Sequence, residues 1–146
     1  MEQILDLPSS GQRTLKYAGF WIRFGAIIID GVIMSIVFYA LLFALGGMMD
    51  PTAVMISYAV LIVGGVAYMA GMESSAKQAT IGKMAVGIKV GDENGNRISI
   101  GNAIGRYFSK IISGLILYIG YMMAGWDPKK QALHDKIAGT YVFYQN

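Results

Sequence analysis

Phe24-Gly25-Ala26-Ile27-Ile28-Ile29-Asp30-Gly31-Val32-Ile33-Met34-Ser35 is almost wholly apolar around one carboxylate. It opens an apolar run that reaches Met49 with Asp30 as its single charge. At ~1.5 Å of rise per residue a helix through that run is ~39 Å long, more than a ~30 Å hydrocarbon core requires. Tyr17, Phe20 and Trp21 stand just ahead of it, where an aromatic belt belongs. The reading is a first transmembrane helix from about Ala18 to Leu45, closed by Gly46-Gly47 and turned by Asp50-Pro51. Thr52 to Met72 then carries no charge and predicts a second transmembrane helix, joined to the first as a tight antiparallel hairpin. Within it Ala67 and Gly71 form a small-xxx-small pair, which suits close helix packing.

The composition of the chain agrees. Of its 146 residues 55% are hydrophobic and 14% charged, where soluble domains carry ~25% charged. That excludes a disordered chain and leaves too few polar residues to cover a soluble domain. The length fits one domain, residues 1–146, with a polar tail over 1–16 in which Pro8, Ser9, Ser10 and Gly11 break any helix. The net charge is +3. So few cations among so many apolar residues mark a cytoplasmic face rather than a nucleic-acid surface. No cysteine is present, which excludes thiolate metal sites and a catalytic thiol.

Residues 73–97 change character, with Glu73, Lys77, Lys83, Lys89, Asp92, Glu93 and Arg97. Val86 to Val90 reads as a strand and Arg97-Ile98-Ser99-Ile100 as its return, around an Asn94-Gly95 turn. This predicts a small cytoplasmic β-hairpin. From Gly101 a helix begins with Arg106 and Lys110 on one face, followed by the uncharged segment 111–126, which is short for a span. The tail over 127–146 is polar and then β-favouring, and Thr140 to Tyr144 is expected to pair with the hairpin.

Charge raises a topological conflict. Arg13 and Lys16 place the N-terminus inside, and the first loop lacks Lys and Arg, as an outer loop should. The 73–110 region and the tail, with Lys129, Lys130 and Lys136, both look inside as well. One full crossing cannot join two inside flanks. The third segment therefore reads as spanning, split or re-entrant, with the broken forms favoured.

Three signals recur in order: Arg23 within Phe20-Trp21-Ile22-Arg23-Phe24, Asp30 seven residues on, and Leu133-His134-Asp135-Lys136-Ile137-Ala138-Gly139-Thr140. Together with Ala79-Thr80-Ile81-Gly82-Lys83, they make a pattern that resembles the RDD family of small bacterial membrane proteins, over about residues 17–143. The family takes its name from one arginine and two aspartates. Arg23 and Asp30 fit the first two places; Asp135 is carried over as the second aspartate, with Asp127 as the other candidate. The resemblance implies a multi-pass protein of the bacterial cytoplasmic membrane, and Arg13 and Lys16 set its N-terminus inside. It also implies transport of ions or small solutes, for which sodium–proton exchange has been proposed.

Asp30 is the most informative side chain, ~10 Å deeper than Arg23 along the helix. A carboxylate at the bilayer centre costs ~2.5–3.5 kcal/mol on insertion scales, so it must face protein or water. Burial favours its neutral form and a nearby cation its charged form; balanced between them, it could exchange a proton for Na⁺ or another cation. The alternative is a structural lock between helices. Arg23 leans toward the interface, so it does not pair with Asp30 and is expected to snorkel to lipid phosphates. Arg106, Lys110, Gln78 or a tyrosine hydroxyl is left to partner Asp30, with Arg106 and Lys110 as the possible counter-charges and otherwise as inside anchors. His134 and Asp135 read as a cap or as a lock between tail and helices.

Enzyme-like patterns fail. Gly82 and Gly87 have P-loop spacing, but Ile88-Lys89 follows. Asp92, Asn94 and Asn96 imitate an EF-hand, but Arg97 and Ala103 stand where Gly and Glu are needed. A single histidine excludes a multi-histidine metal site, and no cofactor is expected. The fold expected is an all-α membrane protein with two transmembrane helices, a third hydrophobic segment and a small β element. Its expected function is a small ion or solute transporter, with H⁺ or Na⁺ at Asp30, Arg23 and Asp135. It is expected to sit in membrane lipid and to form a homo-oligomer, because so few helices cannot enclose a path. The alternative is a non-transporting scaffold that binds a partner protein.

Overall fold

The structure, a computed structural model, describes residues 15–116 and 119–145. Arg13 and the Pro8 to Gly11 breakers of the N-terminal tail lie outside them. Two long helices dominate, α1 (Phe20–Ala44) and α2 (Pro51–Ser74). Both are long and apolar enough to cross a membrane. The turn between them is built as its residues dictate. Gly46 and Gly47 take positive φ, Asp50 caps α2 by accepting the Thr52 N–H at 2.8 Å, and Pro51 fills the first helical position.

Burial is inverted relative to a soluble protein. The outer faces of α1 and α2 carry large apolar groups such as Phe43 (74% exposed) and Val63 (70% exposed), as lipid contact requires. The inner faces carry small or polar groups: Arg23, Ala26 and Asp30 on α1, and Ala53, Ser57, Gly65, Ala70 and Glu73 on α2. Among the described residues the buried apolar core is small and lies at one end of the hairpin, where Ala18, Ala26 and Ala70 meet Ile88, Val90, Ile98, Ala103 and Val142.

Beyond α2 come a short helix α3 (Ile81–Ala85), strand β1 (Ile88–Gly91), helix α4 (Ile100–Leu115), a helical turn α5 (Ile119–Met122) continued by a 3-10 turn (Met123–Gly125), helix α6 (Leu133–Ala138) and strand β2 (Tyr141–Tyr144). β1 and β2 pair antiparallel, with Lys89 opposite Phe143 and Val90 opposite Val142. The tail does pair with the 86–90 strand, as its β-favouring composition suggested. The hairpin itself is corrected. The Asn94-Gly95 turn forms, with the Asp92 carboxylate accepting the N–H groups of Asn94 and Asn96 at 2.9 Å each, but no return strand follows. Ser99 instead caps α4, its Oγ accepting the Asn102 N–H at 3.1 Å. Buried Ala103, Arg106, Ser109 and Ser113 then recur at helical spacing, and this pattern outcompetes the local alternation of Ile98 and Ile100.

The third hydrophobic segment is bent by 114° between α4 and the 119–125 turns. Its flanks fix its course. Arg97, before α4, donates to the Ser74 carbonyl at the end of α2 at 3.0 Å. After the bend the chain returns to the start of α1: the Ala18 N–H meets the Val142 carbonyl at 2.8 Å, and the Tyr144 N–H meets the Lys16 carbonyl at 2.9 Å. Both flanks thus lie at the end of the α1–α2 hairpin away from Met49. The segment thus starts and finishes at the same end of the hairpin, an arrangement in which the charged flanks do not conflict.

Candidate functional site

Asp30 sits on the inner face of α1, one layer deeper than Arg23, and is buried. Its Oδ2 accepts the Thr80 hydroxyl at 2.6 Å; its Oδ1 accepts the Gly82 N–H at 2.8 Å and the Tyr68 hydroxyl at 3.0 Å. The Tyr68 hydroxyl in turn accepts the Ile81 N–H at 2.9 Å. The side chain therefore holds the start of α3 against α1 and α2. Gly82 makes the approach possible: a Cβ there would stand 2.7 Å from the Asp30 Cγ and would also meet the Ala26 carbonyl. Of the partners expected for Asp30, a tyrosine hydroxyl is the one found. Arg106 and Lys110 are not counter-charges of Asp30, because both are turned toward other acids.

Those acids define the second centre. Arg106, fully buried on α4, bridges two carboxylates. It pairs with Glu73 at the end of α2 through Nη1, and with Asp135 on α6 through Nη2 at 2.6 Å and Nε at 3.2 Å. Glu73 also takes the Lys83 ammonium, and Lys110 stands 3.7 Å from it. Asp135 also takes Arg23 from α1 and caps its own short helix, accepting the Ala132 N–H at 3.0 Å. Arg23 does not snorkel to lipid. It is buried, pairs with Asp135, and donates to the carbonyls of Ala18 at 3.0 Å and of Lys130. The cap and the tail-to-helix lock anticipated for Asp135 are thus both present. Asp127 lies apart, 2.5 Å from Lys136, whose contact holds its carboxyl below the usual range.

Electrostatics explain why this cluster persists. Burial alone would push Asp135 upward, but Arg106 and Arg23 outweigh it and hold the carboxyl well below the usual range. His134 Nε2 stands 3.5 Å from Asp135, yet burial keeps the imidazole neutral down to about pH 3, so the contact is no ion pair. Its Nδ1 is buried and has no hydrogen-bond partner among the described residues. Among the described residues, four cations against two carboxylates leave the cluster with an excess of positive charge.

Beside the cluster lies a cavity of about 350 Å³. Phe20, Phe24 and Ile27 from one stripe of α1, with Met69 and Met122, make its apolar wall; Arg23, Lys83, Arg106, Lys110 and His134 border it. Sequence reasoning found Arg23, Arg106, Lys110 and Asp135 but assigned no role to Glu73 and Lys83. The available signal was Glu73 as the first acid after an uncharged span. Thr80, Gly82 and Lys83 enter the sequence reading through the family pattern, the failed P-loop spacing and the charges of 73–97, none of which assigns them these contacts.

The family model for RDD matches residues 17–139, which includes every group just described. The chain belongs to the RDD family. Among curated RDD-type relatives from Bacillus subtilis (strain 168), "Uncharacterized protein YxaI" is 39% identical over 89% of this chain and 99% of its own length. "Uncharacterized membrane protein YteJ" is 30% identical over 90% of this chain and 84% of its own. "Uncharacterized protein YckC" is 29% identical over 88% and 85%. No solved structure matches the chain. In this RDD protein the arginine and the two carried-over aspartates do not converge on one point. Arg23 and Asp135 close the tail onto α1, while Asp30 secures α3 one layer deeper.

Proposed function

We propose that this RDD protein is a small-solute transport protein of the bacterial cytoplasmic membrane, and that its solute site is the cavity beside Arg106. The observation that carries this reading is the buried cluster itself. Six ionisable side chains from α1, α2, α3, α4 and α6 meet beside a cavity at the end of the α1–α2 hairpin away from Met49. Such groups are costly in a membrane protein and by default mark a pathway or site. Lys16, Lys77, Lys89, Arg97, Lys129 and Lys136 flank the same end of the hairpin, and the Gly46 to Asp50 loop has no cation. This supports an N-terminus inside. Two spanning helices leave the cavity open to one side, so copies are proposed to assemble around a path.

Cation–proton exchange at Asp30 is the narrower form of this reading, and the geometry supports it less. Among the described residues Asp30 has three donors and none is a cation, as a structural lock would have. A scaffold is the second reading, favoured by the ion pairs that fasten the tail to the helices.

The test is flux in proteoliposomes, comparing the intact protein, Asp30→Asn and Lys110→Gln. Na⁺-, K⁺- and Li⁺-driven proton movement and uptake of labelled organic anions are measured per folded molecule. Loss of transport in Lys110→Gln, with Asp30→Asn reduced only in folded yield, is the expected result. Flux abolished in folded Asp30→Asn returns the site to Asp30. No flux from folded, oriented protein overturns transport in favour of the scaffold.

A further inference from the structure

The cavity has two unlike ends. Its wall is apolar and reaches the lipid-facing surface, because Phe24, Ile27 and Met122 line it and are also exposed on the outside of the protein. Its inner border is cationic, and the cations differ in how well they are matched. Arg106 bridges two carboxylates, Arg23 holds Asp135 and two carbonyls, and Lys83 holds Glu73. Among the described residues Lys110 is the under-matched one. Its ammonium meets the Met69 thioether at 3.8 Å and reaches Glu73 only at 3.7 Å, beyond ordinary hydrogen-bond range. An ammonium carries three donors, and a largely buried one gains most from a charged acceptor.

We propose that the cavity binds a single-chain anionic amphiphile, a long-chain carboxylate whose head group meets Lys110 and whose chain lies along Phe24 and Ile27. Charge complementarity selects the head group, since the positive excess of the cluster favours an anion over the Na⁺ or H⁺ considered above. Volume selects one chain: about 350 Å³ is at the small end of the ~300–1,000 Å³ usual for ligand cavities. The lateral opening gives such a molecule a route from the bilayer without crossing water. The inference rests on the same cavity as the transport reading and names its substrate class.

The test uses the full chain in non-ionic detergent and native mass spectrometry with palmitate, hexadecanol, hexadecyl phosphate and acetate as separate probes. Palmitate is expected to bind in a 1:1 ratio and more tightly than the other three. Lys110→Met is expected to weaken palmitate about tenfold, toward hexadecanol, as the loss of one charge-assisted contact implies, and Lys110→Arg to restore it. Ile27→Trp, an apolar change on a lipid-facing position, fills the cavity and is expected to abolish binding without loss of folding. Equal binding of palmitate and hexadecanol overturns the head-group assignment. Preference for hexadecyl phosphate overturns the carboxylate, and binding of acetate as tight as palmitate overturns the amphiphile. Palmitate binding without flux in liposomes leaves this inference standing and removes transport; flux of small ions without palmitate binding does the reverse.

Discussion

His134 is a buried imidazole one residue from the acid that closes the tail. Burial lowers it from 6.5 to about 3, so the folded chain refuses a proton that the unfolded chain accepts between those values. The unfolded state then binds more protons, and stability falls as pH drops through 6.5. Asp135 acts lower. Its depressed carboxyl contributes stability that is present above the ordinary value of ~3.9 and is lost as pH falls through its own folded value. The window from pH 6.5 to 5 therefore isolates the histidine. Thermal unfolding in detergent is expected to show a falling midpoint over that window, equivalent to about 1.4 kcal/mol per pH unit at full slope. His134→Gln should flatten it, and an unchanged slope in that variant would sink the assignment. Legibility at this scale was uneven. Arg106 stands out because charges near apolar helices are rare, and Asp135 only through the resemblance to the family. Their mutual contact does not, because α6 reaches α4 only through the fold of the tail.

Among the elements, α3 shows how a five-residue helix is held. It is too short to persist alone, and its start is fixed from outside by Asp30, Thr80 and Tyr68. Gly82→Ala would set a methyl 2.8 Å from the Asp30 Oδ2 and against the Ala26 carbonyl, a backbone atom that cannot swing aside. Overpacking of this kind costs ~1–3 kcal/mol. A lowered midpoint is expected, with the Asp30 contacts disrupted; a midpoint equal to wild type would show that α3 is free to shift. The sequence makes α1 and α2 plain, because apolar runs of that length with at most one interior charge have one stable solution in lipid. It misjudged 97–100, where the alternation of Ile98 and Ile100 mimics a strand. The Ser99 cap and the spacing of Ala103, Arg106 and Ser109 decide for a helix. The β1–β2 pairing was readable because Thr140 to Tyr144 is strand-like and β1 needed a partner.

For the whole molecule, the strongest constraint is that both flanks of the bent α4–α5 segment return to one end of the α1–α2 hairpin. The chain has no cysteine, so single cysteines report sidedness without background. Met49→Cys, at a 96% exposed position in the loop, and Lys136→Cys, in the tail, are expected to label from opposite faces of oriented vesicles. Labelling of both from one face would overturn the re-entrant course. The tie that imposes this course also has a history in time. Arg23 and its carboxylate partner are separated by 112 positions, which at ~5–20 residues per second is about 6 to 22 s of synthesis. Throughout that interval α1 is already emerging into the bilayer while Arg23, and later Arg106, await Asp135. Until then neither guanidinium has the Asp135 carboxylate that closes the tail onto α1 and α4. Translation of the Leu133 to Ala138 stretch is the event that latches it.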